Sequence, residues 1–246
     1  MAGGKLTPRQ KMINLMYLVF IAMLALNMSK EVLSAFGLMN EKFAGINTSQ
    51  TDQNAKLATL LGQKATENPG FAQSLALSKQ VNAATNEFYD FIEGVKNNDI
   101  LKDFKPENGV LPYEAMDKST IDEKWFKGDN YSARGKEIVG KIDAYRTKML
   151  SLFGKDVKYQ SLISKINKMF NTDKVKNREG VSISYLDYHY KGFPAIASVA
   201  KLTALQNDLK TLENESYNIF LGNAYKEAAS MKNFQAIVVL DKNAYF

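Results

Sequence analysis

Apolar positions fall along this chain in two regimes. From Met12 to Met28 the sequence MINLMYLVFIAMLALNM holds no Asp, Glu, Lys or Arg, and only Asn14, Tyr17 and Asn27 carry strongly polar groups. At 1.5 Å of rise per residue the run covers about 25 Å. Extended from Arg9 to Lys30 it covers about 30 Å, the thickness of a bilayer core with a cation at each edge. The reading is a single transmembrane helix over 12–28. A cleaved signal peptide needs a small-x-small site soon after the apolar run. The nearest such triplet, Ala35-Phe36-Gly37, lies beyond the charged pair Lys30 and Glu31. A buried helix of a soluble core would not call for the three cations, Lys5, Arg9 and Lys11, that precede the run without any acid.

Beyond the run, apolar residues repeat at helical spacing. Val32, Phe36, Met39, Phe43 and Ile46 step by 4, 3, 4 and 3, a coiled-coil-like seam. No proline lies between Pro8 and Pro69, and only Gly37 weakens the seam, so one rod is expected from near Pro8 to about Asn47. A shorter helix, about 55–64 with Ser49 or Thr51 as cap, leads to the breaker Asn68-Pro69-Gly70. Further seams run Leu77, Val81, Ala84, Phe88, Phe91, Val95; then Ile138, Ile142, Tyr145, Met149, Leu152; then Leu202, Leu205, Leu209, Leu212, Ser216, Ile219. Another helix covers about 157–170. The fold class is all-α: an antiparallel bundle of five or six helices over 29–230, continuous with the membrane helix.

Two connections are long. Residues 97–130 contain Lys105-Pro106, Asn108-Gly109, Leu111-Pro112, Tyr113, the single tryptophan, Trp125, and Phe126; residues 173–194 contain Tyr185, Tyr188, His189 and Tyr190. Their aromatic content argues for loops packed over the bundle ends, with a partner-contact surface as the other reading. The last stretch changes period. Phe234 to Leu240 reads as a β-strand followed by an Asp241-Lys242-Asn243 turn, so 231–246 is expected to begin a β-domain that continues in a longer chain.

Charge orients the assembly. Residues 1–11 carry only positive charge, which places this tail in the cytoplasm and the bulk of the chain on the outer side of the membrane. The formal net charge of +6 is spread along helices without a basic block, which argues against nucleic acid. The absence of cysteine excludes disulfides and thiolate chemistry. No HExxH, GxGxxG, Walker A or GxSxG pattern occurs, and the single histidine, His189, has no metal-site context. The expectation is no enzyme, no metal and no cofactor.

Candidate functional residues are therefore the polar groups of the membrane helix. At 100° per residue Gln10, Asn14 and Tyr17 lie within about 60° of one another. Asn27 follows Arg9 by 18 residues, five full turns, so both share one azimuth. Polar groups at membrane depth normally face other helices or a water path. Interfacial anchoring is the alternative for Asn14 and Tyr17.

The run KLTPRQKMINLMYLVFIAMLALNMSKEVLSAFGLMNEKF, residues 5–43, resembles the start of the GldM/PorM family, inner-membrane motor subunits of the type IX secretion and gliding machinery. The resemblance implies a helical first periplasmic domain leading to Ig-like β-domains, and a homodimer whose two membrane helices sit inside a ring of the partner GldL/PorL. It also implies conversion of proton-motive force into work passed to periplasmic and outer-membrane secretion components. An arginine before the membrane core and a tyrosine within it are implicated in the family's motor; the matching positions are Arg9 and Tyr17.

This helix has no titratable carboxylate, so any proton carrier belongs to the partner. Arg9 keeps its proton at physiological pH and suits the role of fixed counter-charge. An ion pair with a partner acid would depress that acid's pKa and break when the acid is protonated. The alternative is a passive single-pass anchor or adaptor. A chemoreceptor-like sensor would need a second membrane span and a cytoplasmic output domain.

Overall fold

The computed structural model describes residues 7–106, 109–154 and 156–235, and for residues 23–29, 228 and 230–235 it describes the backbone alone. The first helix, α1, runs Pro8–Glu67 without interruption, about 90 Å at the standard rise. Its start is a capping box: Thr7 Oγ1 accepts from the Gln10 amide at 3.4 Å, and Gln10 Oε1 accepts from the Thr7 amide at 3.1 Å. Pro8 sits at the first turn, where its missing N–H costs nothing. The helix ends where expected. Asn68 Oδ1 accepts from the Gly70 amide at 2.9 Å, and the chain reverses through a 3₁₀ turn, Pro69–Phe71.

This corrects the expected division into a rod ending near Asn47 and a second helix at 55–64. Ser49 and Thr51 are interior residues, not caps. Thr48 and Thr51 turn their hydroxyls back onto the carbonyls of Ala44 and Asn47, at 3.1 and 2.8 Å, a bond that helices accommodate. No proline interrupts this polar stretch.

The return helix α2, Ala72–Val95, closes in a π-turn, Lys96–Ile100, and a 3₁₀ turn, Leu101–Asp103. After a connecting segment come a single-turn helix α3, Asp122–Trp125, and a small hairpin of β1, Phe126–Lys127, with β2, Asn130–Tyr131. Helix α4, Ala133–Phe153, is capped by Ser132, whose Oγ accepts from the Gly135 amide, and leaves through Gly154 at φ 59°. Helix α5, Gln160–Met169, follows a 3₁₀ turn at Val157–Tyr159. A second hairpin pairs β3, Val175–Lys176, with β4, Ser182–Ile183. The short α6, Tyr185–His189, and the long α7, Ala195–Gln235, complete the described chain. Among the described residues the architecture is all-α apart from these two hairpins and an isolated bridge at Val110. Phe234 and Gln235, the expected start of a strand, belong to α7; the rest of that strand lies outside the described residues.

The core follows most of the expected seams. Val81, Ala84, Phe88 and Val95 of α2, Ile138, Ile142, Tyr145 and Met149 of α4, and Leu202, Leu205, Leu209 and Leu212 of α7 are buried. Each such large aliphatic or aromatic side chain stabilises the fold by about 1.5–3 kcal/mol when fully buried. The long connections pack over one end, burying Ile100, Met116, Ile121, Trp125, Leu186 and Tyr190. The seam expected on α1 is rotated. Val32 and Met39 remain 52% and 47% exposed, while Leu33, Asn47, Asn54 and Leu61 are buried.

The helices are not all antiparallel. Asn82, Asn86 and Tyr89 of α2 meet Glu213, Lys210 and Gln206 of α7, so position falls on one helix as it rises on the other. Asn47 and Asn54 of α1 instead meet the carbonyls of Thr203 and Lys210. The constant offset makes α1 and α7 parallel. Extending that register, α7 runs past the end of α1 by about 18 Å. At the opposite end α1 projects alone.

Candidate functional site

The projecting part of α1 carries the residues singled out by the sequence. Residues 7–22 are all exposed, and Met12, Leu15, Met16, Leu18, Phe20 and Ile21 are each at least 62% exposed. Arg9 and Tyr17 have no hydrogen-bond or ion-pair partner among the described residues, and Tyr17 is 60% exposed. Gln10 is occupied in the capping box, which turns its carbonyl oxygen back to Thr7 and away from a lateral contact. Asn14 is exposed on a helical turn, and the side chain of Asn27 lies outside the described residues. Among the described residues no helix is long and apolar enough to cross a membrane; the expected span, 12–28, includes six positions whose side chains are not described.

Where α1 enters the bundle, the segment around the 3₁₀ turn Tyr113–Ala115 closes on it. Lys30 pairs with Glu114 at 3.2 Å. The Tyr113 ring lies flat against Gly37, where an added Cβ would overlap the ring atoms. The Tyr113 hydroxyl donates to the Glu41 carboxylate. Burial first, and then this bond and the Glu41 charge, push the Tyr113 pKa up to about 12, so the phenol keeps the proton it donates. Gly37 therefore sits mid-helix, at a cost of about 1 kcal/mol relative to alanine, for close approach.

Above this collar the α1–α7 contact is largely polar. Thr203 Oγ1 donates to Asn40 Oδ1 at 2.7 Å, Gln50 meets Asn207 and Thr211 at 3.2 and 3.1 Å, and Asn214 donates to Asn54 Oδ1 at 2.8 Å. At its centre is Glu213, fully buried. Its carboxylate accepts from Asn54, Asn82, Lys210 and Tyr217 at 3.0, 2.7, 3.2 and 2.8 Å. Tyr217 is raised well above its ordinary value by burial and by that carboxylate. A second set joins Glu93, Lys96 and Gln206; burial raises Glu93, but the bonds from Lys96 and Gln206 outweigh it and its pKa falls. Each neutral bond contributes about 1 kcal/mol net, so this interface is more specific than strong.

The family model described as GldM N-terminal domain matches residues 31–223. The chain belongs to this family. Membership makes it a membrane-associated component of the gliding and type IX secretion machinery. No curated protein matches the chain. The matched span coincides with the bundle that grips α1, from just beyond Lys30 to the level where α7 passes the end of α1.

Within this GldM domain no group of three or more His, Cys, Asp or Glu side chains among the described residues could hold a metal ion. His189 packs between the rings of Tyr185 and Tyr188, centroids 4.7 and 5.0 Å away. The sequence-predicted residues cluster on the projecting turns of α1. The collar and the buried ladder were missed. Their signals were the lone glycine in an otherwise unbroken seam, and asparagines at 40, 47 and 54, spaced seven apart.

Proposed function

We propose that this GldM-family chain is the single-pass motor subunit of its machinery, with the N-terminus cytoplasmic and the bundle in the periplasm. The carrying observation is the uncovered apolar surface of α1 from Met12 to Ile21, which no described residue packs against. Apolar surface of that extent requires another medium or a partner. In this reading a homodimer places two such helices within a ring of GldL/PorL-like subunits. The exposed face of Val32, Leu38 and Met39, turned away from the bundle, supports self-association just outside the membrane.

Proton-motive force acts through a partner carboxylate that pairs with Arg9 when ionised and releases it when protonated. Tyr17 lies two turns further along, about 12 Å, and contacts a neighbouring part of the ring. Motion of α1 then passes into α7, the parallel helix that leaves the far end of the bundle toward periplasmic and outer-membrane components. The test is Arg9→Ala in cells. Loss of secretion and gliding with the membrane complex still assembled supports the motor reading; Arg9→Lys restores only part, because the bidentate fork is lost. Normal transport by Arg9→Ala leaves the passive anchor as the better reading.

A further inference from the structure

We infer that residues 111–118 form a mechanical joint that couples α1 to the start of α7, with Tyr113 as its positioning residue. The inference rests on the proposed motor role.

The joint has two sides. On the α1 side, Tyr113 lies against the backbone at Gly37 and donates to Glu41, while Glu114 pairs with Lys30. These three α1 positions, Lys30, Gly37 and Glu41, lie within about three turns, immediately after the projecting segment. On the other side the same segment is fastened to α7. The first amides of α7, from Ala195 and Ile196, donate to the carbonyls of Lys118 and Met116 at 2.9 and 3.3 Å. Met116 is fully buried in the core. A few residues of backbone therefore bridge the two long helices.

The fit at Gly37 makes this a joint and not a brush contact. A ring seated on a bare helix backbone resists both rotation and axial slip, because either would drive a neighbouring side chain into the ring. The exposed Lys30–Glu114 pair adds little energy and serves to align the segment. The polar ladder begins only at Asn40, so the collar is the first place where the bundle can take load from α1.

The test uses the full-length protein in its native complex. Residues 1–246 hold no cysteine, so Lys30→Cys with Glu114→Cys can be joined by a short bis-maleimide without other targets among them, and the same treatment of protein lacking both substitutions is the control for labelling elsewhere. Joining the pair should leave secretion and gliding intact, because the two sides move as one body. Tyr113→Ala should lose transport while the complex assembles and the bundle melts cooperatively, and joining the pair in the Tyr113→Ala background should restore it. Tyr113→Phe, which keeps the ring, should retain transport. Transport that stops on joining the pair overturns the inference, as does wild-type transport by Tyr113→Ala. Where Tyr113→Ala does not accumulate, the joined pair alone decides. Arg9→Ala in the same strain separates the readings: if it abolishes transport and Tyr113→Ala does not, the joint fails and the motor stands; if Arg9→Ala transports normally, the motor reading fails first.

Discussion

The side-chain amide of Asn54 reaches both the Glu213 carboxylate and the Lys210 carbonyl at 3.0 Å, so one residue of α1 fixes its register on a charged pair of α7. Lys210 and Glu213 are 4% and 0% exposed. Buried pairs of this kind add little net stability, yet removing one partner leaves an uncompensated charge. Lys210→Met should therefore lower unfolding stability by about 3–5 kcal/mol, whereas Lys210→Met combined with Glu213→Gln, which removes the stranded charge and keeps an acceptor for Asn54, Asn82 and Tyr217, should recover part of the loss. Denaturant unfolding of the detergent-solubilised chain, single variants against the double, checks this. Equal losses in both would show that packing, not charge, sets the cost.

Two glycines of α1 should respond in opposite directions. A Cβ at Gly45 meets nothing within 4 Å, so Gly45→Ala should stabilise the helix by about 0.5–1 kcal/mol. The same change at Gly37 places a methyl group in the Tyr113 ring and should destabilise, because either the ring or the helix must move. Melting temperatures of the two variants, with Tyr113→Ala added to Gly37→Ala, provide the check. Removing the ring should erase the penalty at Gly37.

The pattern of apolar residues disclosed the helices of the bundle better than it disclosed their arrangement. Val81 to Val95 and Ile138 to Met149 were legible because apolar side chains bury against apolar neighbours, as periodicity assumes. Asn40, Asn47 and Asn54 were not, because a buried polar face facing another polar face looks in sequence like a solvated one. Thus the stretch Thr48 to Asn54 read as a connection although it lies inside a single helix. The parallel course of α1 and α7 depends on the long excursion between Lys96 and Pro194, whose path no local pattern encodes. Arg9 and Tyr17 stood out by chemistry alone; Tyr113 stood out only as one of several loop aromatics, since its role exists only once Gly37 is brought against it.

His189 should titrate below the ordinary value of 6.5. Burial is the larger cause, and the Lys201 ammonium the smaller; Lys201 itself donates to the His189 carbonyl and lies 3.7 Å from the Phe193 ring centre. Because the folded pKa is depressed, the native state favours neutral imidazole. The associated stability is fully present above 6.5 and is lost as pH falls through the folded value. With one histidine in the chain, proton NMR reads this titration directly. Lys201→Met should move the midpoint upward but leave it below 6.5, since burial remains. A midpoint unchanged by that substitution would remove Lys201 as a cause.

Asp99 should be the residue on which the end of the bundle depends. The π-turn that ends α2 turns its carboxylate inward, where Oδ2 accepts from Trp125 Nε1 and Arg134 Nε, each at 2.9 Å. Lys124 donates to the Asp99 carbonyl at 2.6 Å, so the side chain and backbone of one residue hold α3 and α4 together. Asp99→Ala strands a fully buried indole N–H and a half-buried guanidinium. Arg134 keeps Glu137 at 2.8 Å and the Phe91 ring at 5.5 Å, which limits the loss. The expected cost is about 3 kcal/mol, the lower end for breaking a buried charged pair. Asp99→Asn keeps an acceptor for the indole and should cost less. Trp125 is the chain's only tryptophan, so its emission reports this site alone. Asp99→Ala should shift that emission to the red below the global unfolding transition, as the end of the bundle loosens first. An unshifted emission with a lowered transition would mean that Asp99 stabilises the whole bundle without holding the tryptophan in place.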